Sequence, residues 1–367
     1  MNLNQVKKLM DRRKNSHKGE NGSVLLIGGS EQYVGALALA GLSSLRAGCD
    51  LVTIAAEDKV AWTVNKYAPD LISYKIKGNA FTVKNAKEMV KYADRFDSVA
   101  LGMGMTKKGE KFVNYFVKKS QRPKVVDADA LKTMSFKDFQ NSVLTPNENE
   151  LEMLLINSNK DFLLPKLRES NAKEKAEILQ GNLRYFLQNN NVLLIKGATD
   201  IIISKNKISY NRTGNQGMTK GGTGDVLAGL VAGFLAKTGD LFKSAAAGAF
   251  INGFVADLLL KDKKGYCFIA SDIIEDLEKI QKIEARLKKS GSAKEEDKLE
   301  KKPRVLDKKA TKGTSTSKKK KVIKTIAKKP TKVKKTKPSG NDNPLSRKVV
   351  TKNSKKHSAK PVGSRKR

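Results

Sequence analysis

Histidine and cysteine are nearly absent. The 367-residue chain has two of each, His17 and His357, Cys49 and Cys267. Neither histidine belongs to a cluster, which excludes a Ser-His-Asp triad and a multi-histidine metal site. The cysteines stand in no CxxC or other ligand spacing, which excludes a structural zinc site or a disulfide scaffold and points to a reducing cytosol. Both lie among apolar neighbours and are expected as small core residues. Long apolar runs are missing too. The stretches near 226–236 and 245–260 contain glycines or are interrupted by Asn252 and Asp257, and neither reaches the about 18–20 residues of a membrane span. The N-terminal MNLNQVKKLMDRRK lacks the apolar run of a signal peptide. The expectation is a cytoplasmic protein with no membrane partner.

Acidic residues are scarce beside basic ones: 37 Asp and Glu against 73 Lys and Arg, a net charge of +36. From Arg286 to the end there are 31 basic and 6 acidic residues, and no aromatic follows Phe268. Such a segment has too little apolar surface to offset its ordering entropy, so residues 289–367 are expected to be a disordered Lys-rich tail. Its charge suits nonspecific, salt-sensitive nucleic-acid association, although it has no base-stacking platform. A solubilising extension would look the same. Residues 1–288 are long enough to bury the core of a single domain.

In that body, apolar strands alternate with helices. Strands are expected at 24–27, 51–55, 71–76, 98–102, 124–127, 142–145 and 192–196, with a hairpin at 201–204 and 207–210. Helices are expected over 2–13, 33–47, 58–67, 84–94, 109–119, 148–156, 171–189, 224–237, 241–260 and 272–288. The pattern predicts an α/β fold, three-layer α/β/α with a mostly parallel central sheet. Ligands on such sheets collect beyond the C-terminal strand ends.

Glycine-rich and polar sites fall at those ends. Gly28-Gly29-Ser30, Gly35-Ala36 and Gly102-Met103-Gly104 allow close backbone approach. Asp127-Ala128-Asp129 ends a strand. Asp129 is expected to cap the next helix, while Asp127 is open to capping or to holding Mg²⁺ through water. Asn147, in Thr145-Pro146-Asn147, either caps a helix or bonds a ligand amide. Lys196-Gly197-Ala198-Thr199-Asp200 suits nucleotide phosphates or a plain turn. Gly221-Gly222-Thr223-Gly224-Asp225 opens an apolar, small-residue helix, where successive N–H groups cradle an anion. Asp225 beside that cradle is either a general base for a hydroxyl about to attack phosphorus or an acid placed to favour the helix dipole. Five such strand-end sites at one edge, with the anion cradle last, point to phosphoryl transfer, without a Walker loop or a dinucleotide fingerprint.

These motifs, together with Ser16-His17-Lys18-Gly19, Gly22-Ser23-Val24-Leu25, Asn147-x-x-Glu150 and Asn215-Gln216-Gly217-Met218-Thr219, resemble the nucleotide-dependent NAD(P)H-hydrate dehydratases, which are ribokinase-like, over residues 5–280. The resemblance implies repair of hydrated NADH or NADPH. ADP or ATP would phosphorylate the C6 hydroxyl of the S form with Mg²⁺, and loss of phosphate would restore the dihydropyridine. It implies Asp225 as base with the Gly222-Thr223-Gly224 backbone at the transferred phosphoryl. Ala36, Gly104, Asn147 and Asp225 become hydrated-dinucleotide contacts, and Lys196, Gly197, Ala198, Thr199, Asp200 and Gly224 adenine-nucleotide contacts. Many bacterial members have His at the position of Asn147, and many have Gly-Pro-Gly-x-Gly where Gly102–Thr106 stands. The Asn-Gln-Gly-Met-Thr-Lys-Gly-Gly-Thr-Gly-Asp version looks most like archaeal members and favours ADP. The resemblance further implies a homo-oligomer, a tetramer in many members, with the hydrate epimerase on another chain. The rivals are a vitamin-precursor kinase for a hydroxymethylpyrimidine or thiazole alcohol, which commonly has Cys at the position of Asp225, and a nucleic-acid-associated protein acting through the tail.

Overall fold

The computed structural model describes residues 1–78, 81–262 and 265–280. The tail and the expected boundary at 288 lie outside them. The elements in chain order are α1 Leu3–Met10, β1 Ser23–Ile27, α2 Val34–Arg46, β2 Leu51–Glu57, α3 Asp58–Tyr67, β3 Ile72–Ile76, α4 Val83–Ala93, β4 Ser98–Leu101 and α5 Glu110–Lys119. They continue with β5 Lys124–Val126, β6 Ser142–Leu144, α6 Glu148–Asn157, α7 Leu164–Glu169, α8 Ala172–Asn182, α9 Arg184–Gln188, β7 Val192–Ile195, β8 Asp200–Ile203 and β9 Ile208–Asn211. Helices α10 Thr223–Thr238, α11 Leu241–Asp262 and α12 Ala270–Asp276 follow.

The strands read as apolar runs because both faces of the sheet are covered. In β1, Leu25 and Ile27 pack into the core beneath α4 and α5, while Val24 and Leu26 pack with residues of α2, α3 and α10. The order is β3-β2-β1-β4-β5-β6-β7-β8-β9. Pairing is parallel through β7 and antiparallel for β8 and β9. The order reverses between β1 and β4, and at such a switch point the following loops part to leave a crevice. The three-layer, mostly parallel α/β/α architecture is the one the alternation predicts.

Small residues set how α10 sits on the sheet. A β-carbon on Gly229 would lie 2.1 Å from the Ala40 carbonyl oxygen, and one on Gly233 2.6 Å from that of Ser44. The two helix backbones therefore touch, and the Ser44 hydroxyl donates to the Gly229 carbonyl at 2.7 Å. This contact fixes the N-terminus of α10 relative to α2.

Four expectations change. The single helix over 171–189 is two, α8 and α9, separated at Leu183 (φ −107°, ψ 24°). Gly181 and Asn182, both poor helix formers, precede the break. The last helix ends at Asp276, and its expected extension to 288 runs outside the described residues. Cys267 is exposed, on a chain segment leading to α12, whereas Cys49 is buried and burial pushes its thiol up to about 12. Helix α11 runs unbroken for 22 residues, long and apolar enough by those measures alone to cross a membrane, but 72% of its apolar window is buried inside the fold. Asn252 and Asp257 do not interrupt it because each has a partner across the interface. Asn252 Nδ2 donates to the Thr223 carbonyl at 3.3 Å, and Asp257 accepts from Gly214 N at 2.8 Å and Asn215 Nδ2 at 2.9 Å.

Candidate active site

Three neighbouring strand ends converge on one carboxylate. Asp127, just past β5, is buried, and its Oδ1 accepts the Thr145 hydroxyl from the end of β6 and the Lys196 ammonium from the end of β7, each at 2.8 Å. The same ammonium lies 3.5 Å from Glu150 Oε2. Burial alone would lower the Lys196 pKa, but Asp127 and then Glu150 outweigh it and hold it above the ordinary lysine range. Oδ2 of Asp127 accepts no hydrogen bond among the described residues. A β-carbon on Gly224 would lie 4.0 Å from it and 3.6 Å from Lys196 Nζ. The first turn of α10 thus faces this ion pair.

That turn is built by the loop before it. Asn215 Oδ1 accepts from Gly217 N at 2.9 Å, and the Thr223 hydroxyl donates to the carbonyls of Met218 at 2.7 Å and Lys220 at 3.0 Å. Lys220 is spent on the backbone carbonyls of Tyr266 and Phe268. Gly222 turns the chain into the helix at φ 95°, and a side chain there would also meet Leu39 Cδ1 at 2.7 Å and Ala270 Cβ at 2.9 Å. The first intrahelical bond is Val226 N to Gly222 O, which leaves the N–H groups ahead of it outside the helical ladder and available to an anion.

Asp225 sits in that turn and takes no hydrogen bond among the described residues. Its pKa is pushed up to about 7, first by burial, then by Asp127, with Lys196 opposing and Asp129 adding to the rise. A residue placed to favour the helix dipole would be held below its ordinary value. Here the surroundings make the charged form costly, as at a proton-transfer site.

A second group of residues meets beside the β1–β4 switch point. Gly29 N donates to the Met103 carbonyl at 2.8 Å. A β-carbon on Gly104 would lie 3.3 Å from that of Ala36 and 2.7 Å from that of Tyr33, so Ala36 and Gly104 do share one surface. Asp129 does not cap a helix as expected. Its Oδ2 accepts from Thr106 N at 2.8 Å and its Oδ1 from Lys132 at 2.7 Å. Thr106 is held at φ 61° and Ala128 at φ 52°, the two non-asparagine, non-glycine residues with positive φ among the described residues. Strain of this kind persists only where neighbours over-determine it.

The other expected residues divide. Asn147 caps α6 in a capping box with Glu150: its Oδ1 accepts from Glu150 N at 2.9 Å while Glu150 accepts from Asn147 N at 2.8 Å. Its exposed amide nitrogen is left over for a ligand. Gly197, Ala198 and Thr199 form the β7–β8 turn, closed by Asp200, which accepts from Gly197 N at 3.0 Å and Asn211 at 2.9 Å. Asp200 therefore shapes the turn, while Gly197 and Ala198 are exposed beside Lys196. Sequence reasoning assigned no role to Thr145 or Glu150, which position Asp127 and Lys196. The spacing Asn147-x-x-Glu150 is that of a capping box and could have marked Glu150 for the helix start, but it carries no sign of its second partner.

The profile of the NAD(P)H-hydrate dehydratase family matches residues 24–279. The chain belongs to this family. A bifunctional NAD(P)H-hydrate repair enzyme of Methanocaldococcus jannaschii is 38% identical over 283 residues, covering 76% of this chain and 52% of that one. The chain thus spans about half the length of such bifunctional relatives. An ADP-dependent (S)-NAD(P)H-hydrate dehydratase of Nitrosopumilus maritimus is 33% identical over 286 residues, covering 76% of this chain and 94% of that one. Among solved structures, the ADP/ATP-dependent NAD(P)H-hydrate dehydratase of Bacillus subtilis co-crystallized with ATP/Mg²⁺ superposes with a TM-score of 0.63 at 24% identity, over 77% of this chain and 96% of that one. That likeness shows that the two chains share the three-layer α/β/α fold described above.

Proposed function

We propose that the chain dehydrates the S form of hydrated NADH and NADPH, using ADP as phosphoryl donor in preference to ATP. The observation that carries this reading is Asp225, a carboxylate raised to about 7 at the mouth of an anion cradle. Asp225 takes the proton of the C6 hydroxyl, and the freed oxygen attacks the terminal phosphorus of the nucleotide. The Gly222-Thr223-Gly224 backbone holds charge on the transferred group, and Lys196 offsets it from the opposite side. The bond from phosphorus to the nucleotide breaks as AMP leaves; phosphate, unlike hydroxide, then leaves C6 readily, and loss of a proton from C5 forms the double bond that restores the dihydropyridine. Ala36, Gly104 and the Asn147 amide face the hydrated ring, while the Gly197–Thr199 turn lies against the adenine nucleotide.

Among the described residues no group of three His, Cys, Asp or Glu could hold a metal alone. That fits Mg²⁺, which keeps waters and rides on nucleotide phosphates with one or two carboxylates. Asp127, with Oδ2 unbonded toward Gly224, is the residue that would hold it through water. When bound, it offsets phosphate charge.

The reading also includes a homo-oligomer and a polyanion-binding tail at 289–367. Edge strand β3 and the neighbouring α3 expose Ile72, Trp62 and Tyr67, which supports association along that edge. The net positive charge of the tail supports salt-sensitive nucleic-acid contact in the cytoplasm. The decisive experiment incubates the protein with hydrated NADH and either ADP or ATP and follows the near-ultraviolet absorbance of the dihydronicotinamide. Recovery with ADP is expected, and no recovery with either nucleotide would defeat the proposal.

A further inference from the structure

Beside the Gly104–Ala36 surface lies a cavity of about 870 Å³, lined by Gly29–Gln32, Glu57–Lys59, Gly78, Phe81 and Met105–Lys108. It is walled by the same two loops that meet at Gly29 and Met103. Its size is that of a small-molecule site, and nothing in the phosphoryl-transfer chemistry above uses it. It opens at the β1–β4 switch point, where strands β3-β2-β1-β4-β5-β6 follow the order of dinucleotide-binding sheets.

Glu57 is the last residue of β2 and reaches this cavity. It precedes α3 at the capping position, yet its side chain makes no capping bond, and no hydrogen bond to it exists among the described residues. Of the acidic residues around it, Glu31 is paired with Lys59 at 3.3 Å, which leaves the Glu57 carboxylate without a direct ion-pair partner. A carboxylate at the end of the second strand of such a sheet is placed to accept both hydroxyls of a ribose, and it repels a phosphate at the 2′ position. Lys107 and Lys108, on the strained loop held by Asp129, line the same cavity and supply positive charge suited to a pyrophosphate bridge.

We propose that this cavity receives the adenosine half of the hydrated dinucleotide and that Glu57 accepts its ribose hydroxyls, giving the enzyme a preference for the NADH hydrate over the NADPH hydrate. The inference rests on the function proposed above for the nicotinamide end and adds the site of the other end. Phe81 supplies an apolar wall for the base, with Met105 beside it.

The test separates this inference from the proposed activity by measuring binding of unhydrated NADH and NADPH, which need no turnover, through protein-to-nicotinamide fluorescence. The wild-type protein should bind NADH about ten- to a hundredfold more tightly than NADPH, the range expected for hydrogen bonds to a charged group. Glu57→Gln should bring the two affinities to within a few-fold of each other, and Glu57→Arg should reverse the order. Because the readout is a ratio, partial misfolding of a variant cannot imitate it. A wild-type protein that favours NADPH, or a ratio that both variants leave unaltered, overturns the proposal. So does a variant whose loss falls on ADP affinity instead. Failure of the hydrates to turn over, with the binding ratio as stated, would instead remove the activity and leave the cavity assignment standing.

Discussion

Replacing Asp225 with Asn keeps the shape of the side chain and removes both its charge and its ability to take a proton. Two effects follow with opposite signs. As a general base, the residue should contribute at least about a hundredfold to turnover, or about 2.7 kcal/mol of barrier. As a half-buried acid whose pKa rises from 3.8 to about 7, it destabilises the fold once ionised. The folded state binds the proton more tightly than the unfolded state does. The stability that goes with the neutral acid is therefore complete below about pH 4 and is lost as pH rises through about 7. Taken in full, the displacement corresponds to on the order of 4 kcal/mol at 1.36 kcal/mol per tenfold. Partial solvent contact and relaxation discount this to about 1–2 kcal/mol. Asp225→Asn should thus be nearly inactive with nucleotide affinity retained, and should melt higher than wild type by a margin that grows from pH 4 to 7 and then levels off. Calorimetry across that range with single-turnover kinetics at one pH reads both effects. Near-normal turnover, or a melting difference independent of pH, would refute the assignment of Asp225 as a desolvated base.

Other outcomes follow from the same geometry. In the unliganded enzyme kcat/KM should rise with pH through about 7 as Asp225 ionises, and a flat profile over that range would place the base elsewhere. Gly222→Ala must adopt φ 95° and displace Leu39 and Ala270, so denaturant unfolding should show a loss of about 2–3 kcal/mol together with loss of turnover. Lys196→Met leaves Asp127 and Glu150 facing each other unpaired and should cost about 3 kcal/mol, with the KM for nucleotide rising more than that for the dinucleotide. Deleting residues 290–367 should leave kcat within about twofold and abolish the salt-sensitive binding of DNA or RNA that is expected of the full chain.

The sequence by itself determined the layered fold and most of the strand ends, because a strand buried on both faces must be apolar and the turn after it must be glycine-rich or polar. Gly222, Gly224 and Asp225 were legible as a cradle with an acid in it, since local chain geometry alone makes such a turn. Local pattern could not show that Asp127, Thr145, Glu150 and Lys196, from three strand ends and the helix that follows β6, form one charged cluster. Those contacts span up to 69 residues and exist only through the parallel order of β5, β6 and β7. Asp129 was misread for the same reason: one of its oxygens is taken by Thr106 N, on the loop after the neighbouring strand, and the other by Lys132, so it caps no helix. The raised pKa of Asp225 is likewise tertiary, because burial and the distant Asp127 set it, and its place in the helix would have argued the reverse. Residue types and spacing decide that a phosphate can sit at the end of α10. The sheet decides which carboxylates and which ammonium surround it, and with them which proton can move.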